Sequence, residues 1–296
     1  MPELTNAPHL LCFGCGYVAE TLATRLLREG WRVSGTTREA ERAQALEARG
    51  IRPLIFDGEA PLPEDALADV THVLHSVPPR EEGDPVLRQH GEALAAMPDL
   101  AWFGYLSTTG VYGDHGGAWV TEDSALQATS PRSCRRVEAE AAWRGLLERH
   151  GLPLHVFRLA GIYGPGRNQL AALRQGRARR IAKPGYVFGR IHVEDICRAL
   201  EASIDAPQPG AVYNLADDLP EEPEVVVAYA ADLLGIAPPP LVPFEDAELT
   251  PMAKSFYLDC RRVSNKRLRE ELGVALAYPT YKEGLNALAK DEAASV

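Results

Sequence analysis

Short apolar or β-branched runs alternate with helix-period segments over the first two-thirds of this chain, and this alternation constrains the fold most. Strict alternation implies right-handed crossovers and a parallel sheet covered on both faces. We therefore predict an α/β fold with a doubly wound parallel sheet. The predicted strands are residues 9–13, 31–36, 52–56, 70–76, 100–107 and 154–159, and the first predicted helices are 18–29 and 39–49.

The pattern changes near Gly164, where proline and glycine become frequent and interrupt the helical periodicity. Residues 193–204 and 223–234 are predicted helices, and residues 212–215 are predicted as one more strand. We predict a sheet domain over residues 8–165, to which residues 190–216 return. Residues 166–189 and 217–296 form a smaller C-terminal α/β part, which we expect to supply substrate contacts because ligands of such sheets bind at the carboxyl edge.

Charge and composition exclude several classes of function. The chain has 296 residues with 31 basic and 41 acidic side chains, a formal net charge of −10. This balance argues against affinity for nucleic acid or anionic membranes, which requires a basic face. No apolar run approaches the roughly 20 residues needed to span a bilayer. Five scattered cysteines do not form a disulfide framework, so we expect a cytoplasmic location.

A glycine-rich turn joins the first predicted strand to the first helix. Gly14 and Gly16, followed by Ala19, give the spacing G-x-G-x-x-A in the context where it binds a dinucleotide. Gly14 permits the tight turn and Gly16 lets a pyrophosphate approach the backbone, beside the first helical residues Tyr17 and Val18. The N–H groups and the positive end of the helix dipole then hold the phosphates. The sheet domain is thus predicted to be an NAD(P)-binding Rossmann domain.

The end of the second predicted strand indicates which dinucleotide is bound. An acidic residue there would bind the ribose 2′-hydroxyl of NAD, but this chain has Thr36, Thr37 and Arg38, two hydroxyls and a guanidinium that suit a 2′-phosphate. A guanidinium group donates paired hydrogen bonds to phosphate oxygens, which favours NADP(H) over NAD(H). Asp57 is a candidate for binding the adenine amine, with a turn or cap role as its alternative. Ser76 and Ser107, which end two further predicted strands, complete the predicted cofactor-binding set.

Three further segments carry a family resemblance. Residues 105–114 (YLSTTGVYGD), 158–166 (RLAGIYGPG) and 190–196 (RIHVEDI) resemble the extended short-chain dehydrogenase/reductase family, the NAD(P)-dependent epimerase/dehydratase group. With the glycine turn, the resemblance extends over most of residues 8–216. It implies a Rossmann-type fold, a nicotinamide cofactor and hydride-transfer chemistry on a small-molecule substrate. It also raises the expectation of a homodimer formed through the helix at residues 133–150.

The resemblance implies a catalytic hydroxyl and a Tyr-x-x-x-Lys pair on the next helix. The hydroxyl position falls on Thr108, with Ser107 as the fallback. The tyrosine and lysine positions fall on Arg132 and Arg136. Arginine does not exchange a proton near neutrality, so neither can replace tyrosine as a general acid/base. Both can still bind an anionic group or stabilise developing negative charge, so we predict Thr108, Arg132 and Arg136 as the catalytic set.

Other side chains could supply the missing proton. Tyr112 and Tyr163 lie in the family-like segments, and His75 ends a predicted strand and titrates in a suitable range. His192 and Asp195 are instead predicted to be a strand-end hydrogen-bonding residue and a helix N-cap. The run from Arg174 to Lys183 holds five basic residues and is either an anion site or a solvated face.

Three functional hypotheses follow. The first is an NADP(H)-dependent oxidoreductase of the atypical extended type, acting on a small polar or nucleotide-sugar-like substrate. The second is a non-catalytic NADP(H)-binding redox sensor that has lost the usual Tyr and Lys. The third is a sugar-nucleotide epimerase or dehydratase. The arginine pair leaves open whether the chain is an enzyme, and the sequence does not identify the substrate.

Overall fold

The fold was analysed in a computed structural model, which describes residues 7–294. The strands are β1 His9–Phe13, β2 Arg32–Thr37, β3 Arg52–Ile55, β4 His72–His75, β5 Trp102–Thr108, β6 Trp119–Val120, β7 Leu154–Leu159, β8 Gly161–Tyr163, β9 Arg180–Ala182, β10 Arg190–His192, β11 Val212–Leu215, β12 Leu241–Pro243 and β13 Arg262–Val263. The helices are α1 Tyr17–Arg28, α2 Ala40–Glu47, α3 Pro85–Ala95, α4 Pro131–His150, α5 Gln169–Arg174, α6 Val193–Asp205, α7 Pro223–Leu233, α8 Pro251–Phe256, α9 Lys266–Glu270 and α10 Tyr281–Ala294.

Seven strands form one parallel sheet in the order β11-β7-β5-β4-β1-β2-β3. Strand β1 lies in its interior and pairs with β2 through Leu10↔Val33 and with β4 through Leu10↔His72. Every residue of β1 is buried, as expected for a strand covered by helices on both faces. The predicted fold class, an α/β doubly wound parallel sheet, is confirmed.

The sheet residues fall mainly in the first of two compact units, which within the described chain comprises residues 7–108, 131–158 and 200–212. Its core is a cluster of aromatic and aliphatic side chains that includes Phe13, Phe103, Tyr105 and Trp143, each fully buried. Large aromatic side chains bury the most apolar surface, so they contribute most to the stability of such a core.

The second unit comprises residues 109–130, 159–199 and 213–294. Its core cluster includes Tyr163, Leu170, Tyr281 and Leu285. Three short parallel pairs, β8 with β10, β9 with β12 and β6 with β13, contribute its extended structure. The sequence predicted a loop-rich α/β part here.

Within residues 7–294, no helix is both long and apolar enough to cross a membrane.

One prediction about α4 is wrong in detail. The sequence pattern placed Val137, Ala141, Leu146 and Leu147 on a stripe facing the sheet. In the structure Ala141 is exposed and Val137 is half-buried, whereas the buried side chains are Ser133, Ala139, Glu140, Trp143 and Leu146. A polar side chain, Glu140, occupies the buried face because it has partners there, which no helical periodicity reveals.

Candidate functional site

The turn between β1 and α1 is held in place by strand β2. The Gly14 N–H donates to Thr36 Oγ1 at 2.7 Å, and the Cys15 N–H donates to the Thr36 carbonyl at 2.9 Å. Gly14 has φ +80°, in the left-handed region that glycine occupies without steric cost. A single residue of β2 therefore fixes both the position and the direction of the turn.

The two glycines of this turn have opposite surroundings. A Cβ atom added to Gly14 would lie 2.9 Å from Ser76 Oγ and 3.2 Å from the Val77 backbone nitrogen. A Cβ added to Gly16 would meet no atom within 4 Å. Gly14 is therefore packed against the loop that follows β4, whereas the side of Gly16 is open. This arrangement fits a phosphate group approaching the backbone at Gly16.

Helix α1 begins directly after Gly16, which is its N-cap and provides no capping side chain. The first N–H groups of a helix have no acceptor within that helix, so they favour an anion. Tyr17 is half-buried and Val18 is buried at the start of the helix. The residues present thus fit the diphosphate of a dinucleotide.

Ser76 lies against the glycine turn. Its Oγ donates to the Gly14 carbonyl at 2.5 Å and approaches the Phe13 carbonyl at 3.3 Å. The predicted cofactor-binding residue Ser76 is therefore brought to the turn, where its hydroxyl braces the backbone. No local sequence pattern predicts this contact, because the two residues are 62 positions apart.

Thr37, Arg38 and Asp57 lie at the ends of the neighbouring strands β2 and β3. Thr37 pairs in register with Ile55, and its hydroxyl accepts from the Glu39 N–H at 3.3 Å. Arg38 is exposed and, within the described residues, forms no salt bridge. Asp57 is exposed, and its Oδ1 accepts from the Glu59 N–H at 2.9 Å, the contact of an Asx turn.

Two neighbouring arginines are engaged elsewhere. Glu20 on α1 forms salt bridges with Arg42 and Arg49, and it accepts a hydrogen bond from Arg49 at 3.1 Å. Glu20 is 8% exposed, so this carboxylate is held largely out of solvent between two guanidinium groups. Arg38 is therefore the arginine of this region whose charge is not neutralised by Glu20. This contrast supports the prediction that Arg38, rather than a neighbour, meets a phosphate.

The end of β5 contains a buried polar network. The Ser107 hydroxyl donates to Glu140 Oε1, and Glu140 also accepts from Arg158 through Nε at 3.2 Å and Nη2 at 2.8 Å. The side chains of Glu140 and Arg158 are each 5% exposed. Ser107 was predicted to bind cofactor, and the structure directs its hydroxyl to Glu140. Thr108, the last residue of β5, is half-buried.

Arg136 is fixed at the same end of β5. Its Nη1 donates to the Leu106 carbonyl at 2.8 Å and to the Tyr105 hydroxyl at 3.1 Å, and its guanidinium lies 5.6 Å from the centre of the Tyr105 ring. Burial raises the pKa of Tyr105 even though Arg136 opposes that shift. The hydrogen-bond acceptors are neutral oxygens, so they orient the cation without neutralising it. Arg136 on α4 thus contacts β5 at Leu106, two residues before Thr108.

Arg132 lies one turn earlier on α4 than Arg136. Partial burial and the nearby positive charge of Arg136 lower the pKa of Arg132. Two cations at this spacing on a helix repel each other. An anion bound between them would remove the repulsion.

The spacing Tyr-x-x-x-Lys does occur elsewhere in the chain, at Tyr278 and Lys282, but Tyr278 precedes α10 and packs against His192 at 4.1 Å between ring centres.

The other candidate proton donors lie in the interior. The Tyr112 hydroxyl donates to Asn214 Oδ1 at 2.7 Å, and the Tyr163 hydroxyl donates to the Thr280 carbonyl at 3.4 Å. Burial raises the pKa of the Tyr163 phenol. His75 is fully buried and bonds to Asp84. Each of these three side chains is thus engaged by a hydrogen bond inside the protein.

His192 and Asp195 serve different structural roles. His192 Nδ1 accepts from the Glu194 N–H at 3.2 Å, as expected for a strand-end hydrogen-bonding residue. Asp195 is not an N-cap: it lies within α6 and accepts from the N–H groups of Ala277 and Tyr278 at 2.6 and 3.0 Å. It therefore anchors the segment that precedes α10.

The basic run contributes to structure in the second unit. Arg179 donates to the Glu248 carbonyl at 2.6 Å, Arg180 donates to the Pro239 carbonyl at 3.3 Å, and Lys183 donates to the Tyr257 carbonyl. These bonds attach the run to residues 239–257, which include β12 and α8. Arg174, Arg177 and Arg179 are exposed, so the anion site and the solvated face both stay predictions.

Comparisons with known proteins show which family this chain is similar to. Residues 92–216 match the model of the NAD dependent epimerase/dehydratase family. A solved structure from Methylobacillus flagellatus that is assigned to the NAD-dependent epimerase/dehydratases is 29% identical and covers 97% of this chain and 100% of its own, with a TM-score of 0.72. Over residues 92–216 the chain therefore matches the NAD dependent epimerase/dehydratase family.

Other proteins are similar to this chain over nearly its whole length. A conserved protein of unknown function from Silicibacter pomeroyi is 52% identical over 96% of this chain and 99% of its own, with a TM-score of 0.90. Protein YeeZ from Escherichia coli is 28% identical over 90% of this chain and 94% of its own. Structures of sugar-nucleotide epimerases and dehydratases at 16–18% identity share the fold, with TM-scores of 0.74–0.78. The predicted resemblance to the extended short-chain dehydrogenase/reductases is confirmed.

Two side chains support the predicted residues in ways the sequence did not indicate. The Thr36 hydroxyl, predicted to suit a 2′-phosphate, is buried and accepts from the Gly14 N–H instead, and Glu140 joins Ser107 to Arg158. The sequence does contain one indication of the Glu140–Arg158 pair, because Arg158 is a charged residue inside a strand whose residues are all buried. Buried charges require a partner, and this could have prompted a search for a buried acid.

Proposed function

We propose that this epimerase/dehydratase family member binds NADP(H) at the glycine turn and acts as an oxidoreductase on a small polar or nucleotide-sugar-like substrate. The observation that carries the proposal is the turn itself, in which Gly14 is packed at φ +80° while the side of Gly16 is open. Two low-identity neighbours are complexes with NAD, and a third contains UDP-glucuronic acid with NAD. These complexes support a nicotinamide cofactor and a nucleotide-sugar-like substrate.

The residues that hold the cofactor follow from their places in the fold. The backbone at Gly14, Gly16, Tyr17 and Val18 receives the diphosphate, since the N-terminus of α1 offers N–H donors. Arg38 and Thr37 receive the 2′-phosphate of the adenosine. The remaining predicted contacts are Asp57, Ser76 and Ser107. The Ser76 hydroxyl also donates to the Gly14 carbonyl, and the Ser107 hydroxyl also donates to Glu140.

Arg38 provides the test of cofactor choice. Arg38→Ala is expected to raise the Kd for NADPH about tenfold or more, because hydrogen bonds between charged groups contribute about 1.5–3 kcal/mol. The Kd for NADH is expected to stay within about twofold, because NADH lacks the 2′-phosphate. Isothermal titration calorimetry with both reduced nucleotides measures the two constants on one preparation.

Arg42→Ala is the matched control for Arg38. Arg42 lies four residues further on and is engaged with Glu20, so its loss is expected to change NADPH binding less than the loss of Arg38. Unchanged NADPH affinity in Arg38→Ala would contradict the NADP(H) preference. No binding of either nucleotide by the wild-type protein would contradict the proposed function as a whole.

The reaction proposed at the end of β5 uses three side chains. The nicotinamide ring, when bound, supplies or accepts a hydride. The Thr108 hydroxyl positions the substrate oxygen, and Arg132 and Arg136 stabilise negative charge that develops on it. The support for Arg136 is its fixed orientation by the Leu106 carbonyl and the Tyr105 hydroxyl.

Thr108→Val tests whether the chain catalyses hydride transfer. Valine retains the shape and removes the hydroxyl, so kcat is expected to fall about 100-fold while NADPH affinity is retained. Oxidation of NADPH is followed by absorbance against a panel of carbonyl compounds and oxidised nucleotide sugars. Thr121→Val, at an exposed position, is the control.

The arginine pair favours a second candidate function, a non-catalytic NADP(H)-binding redox sensor. Arg132 and Arg136 occupy the positions where the family's proton-transfer residues are expected, and arginine retains its proton. NADPH binding without turnover on any member of the panel would favour this sensor over the oxidoreductase. A nucleotide that copurifies and remains bound through turnover would instead favour an epimerase or dehydratase.

A further inference from the structure

A fully buried carboxylate, Asp84, joins three elements of the first unit. Its Oδ1 accepts from the N–H groups of Val86 and Leu87 at 2.9 and 3.2 Å, which caps helix α3. Its Oδ2 accepts from His75 Nε2 at 2.7 Å and from Trp143 Nε1 at 3.0 Å. The carboxylate therefore receives four hydrogen bonds, two on each oxygen.

These bonds fix the protonation pattern of the His75 ring. Nδ1 of His75 accepts from the Val77 N–H at 3.3 Å, so the ring proton lies on Nε2, where it is donated to Asp84. The ring is held in this orientation by aromatic neighbours: its centre lies 5.1 Å from Tyr105 and 5.5 Å from Trp143. His75 thus donates to Asp84 through Nε2 and accepts from the Val77 N–H through Nδ1, so its ring links Asp84 to the loop after β4.

Val77 and its neighbour Ser76 are the residues packed against Gly14. The Ser76 hydroxyl donates to the Gly14 carbonyl, and the Val77 nitrogen lies 3.2 Å from the point where a Gly14 Cβ would stand. A continuous set of contacts therefore runs from α4 through Asp84 and His75 to the glycine turn. Every step between these side chains has a hydrogen bond of 3.3 Å or shorter.

We propose that Asp84 and His75 are positioning residues that set the loop after β4 against Gly14 and thereby control the affinity of the turn for a dinucleotide. The inference rests on the proposed function for its ligand, but its structural part concerns only the backbone of the turn. Burial raises the pKa of Asp84, yet the electrostatic interaction with His75 and the hydrogen bonds from His75, Trp143 and the Leu87 N–H together hold that pKa below its usual value. Asp84 is therefore charged and available as an acceptor.

The isosteric change Asp84→Asn exposes this role. An asparagine can keep Oδ1 as the cap of α3, but its NH₂ group then faces two donors, His75 Nε2–H and Trp143 Nε1–H. If His75 moves its proton to Nδ1 to accept from the amide, Nδ1–H faces the Val77 N–H. The change thus moves a donor–donor conflict to Val77, beside Gly14, with no change in side-chain volume.

The experiment compares Asp84→Asn with His90→Gln. His90 is a buried histidine of the same unit that accepts from the Leu62 N–H at 3.1 Å and packs 5.3 Å from Phe13, but it has no bond to the loop after β4. Both variants are checked by circular dichroism and melting temperature. NADPH affinity, the ¹⁵N shifts of the His75 ring and amide hydrogen exchange at residues 14–18 and 76–77 are then measured.

Asp84→Asn is expected to raise the Kd for NADPH about tenfold, to shift the His75 ring nitrogens and to speed exchange at Val77 and the glycine turn. His90→Gln is expected to lower the melting temperature and leave all three unchanged. Unchanged exchange at Val77 and the turn in folded Asp84→Asn overturns the proposal. So does a Kd within twofold of wild type.

Two further arms separate the alternatives. If Asp84→Asn does not fold, Trp143→Phe removes one donor to Asp84 and is expected to give a smaller change in the same exchange rates. If wild-type protein binds no NADPH, the proposed function fails, while the exchange and ring-nitrogen measurements still decide whether Asp84 positions the turn. The two failures are therefore distinguishable.

Discussion

Replacing Glu140 with glutamine is expected to lower the free energy of unfolding by about 3–5 kcal/mol, because the change leaves a buried cation without its counter-ion. Glu140 and Arg158 are each 5% exposed and joined by two nitrogen atoms of one guanidinium. Glutamine preserves the shape and can still accept from Ser107, but its NH₂ group then faces the Arg158 donors, so the loss combines the missing charge with a missing acceptor. Domain stabilities are about 5–15 kcal/mol, which makes this a large fraction of the total.

Glu201→Gln is the matched control for Glu140→Gln. Glu201 also accepts from two nitrogens of one arginine, Arg25, at 2.5 and 2.6 Å, but these side chains are 19% and 28% exposed. Solvent screens such a pair, so the expected loss is about 0.2–1 kcal/mol. Urea denaturation with an unchanged m value measures both losses. Equal losses in the two variants would show that burial of Arg158 does not decide the energy.

Replacing Gly14 with alanine is expected to weaken NADPH binding about 100-fold or more, a loss of about 2.8 kcal/mol. Gly14 has φ +80°, and the new Cβ would lie 3.2 Å from the Val77 backbone nitrogen and 2.9 Å from Ser76 Oγ. The Ser76 side chain can rotate, but the Val77 backbone cannot move without breaking its bond to His75. The turn must therefore open, which displaces the N-terminus of α1 from the place where it receives the anion.

Gly30→Ala separates crowding from backbone strain. Gly30 has φ +85°, but a Cβ added there meets no atom within 4 Å. A residue other than glycine in this conformation costs about 1–2 kcal/mol, so both variants lose stability. Only Gly14→Ala is expected to lose NADPH affinity, as measured by calorimetry at a temperature where both are folded. NADPH binding by Gly14→Ala within a few-fold of wild type would contradict the proposed cofactor site.

The sheet could be predicted from the sequence because its strands carry strong local signals. Residues 9–13, 154–159 and 212–215 were predicted with the bounds that the structure has, and α1 begins one residue earlier than predicted. Each strand is short, apolar or β-branched and bounded by turn residues, so local pattern and burial agree. The six two- or three-residue strands of the second unit lack such a signal.

The supporting residues of the site could not be predicted because their partners are distant in sequence. Ser107 contacts Glu140 33 positions away, and Thr36 contacts Gly14 22 positions away. Helical periodicity placed Ala141 inside and passed over Glu140, since it scores side chains by hydropathy and not by available partners. The role of Arg38, Thr108, Arg132 and Arg136 stays a prediction that the proposed variants test.

The double engagement of Glu20 makes the segment that carries Arg38 sensitive to ionic strength. Helix α2 follows Arg38 at once and has Leu46 as its buried residue, and the pairs that Glu20 forms with Arg42 on the helix and Arg49 just after it add to the attachment of this segment. Added salt screens such pairs at partly exposed arginines and screens Arg38 itself. Discrimination between phosphorylated and unphosphorylated adenosine would thus weaken in concentrated salt for two reasons at once, one at the guanidinium and one in the helix behind it.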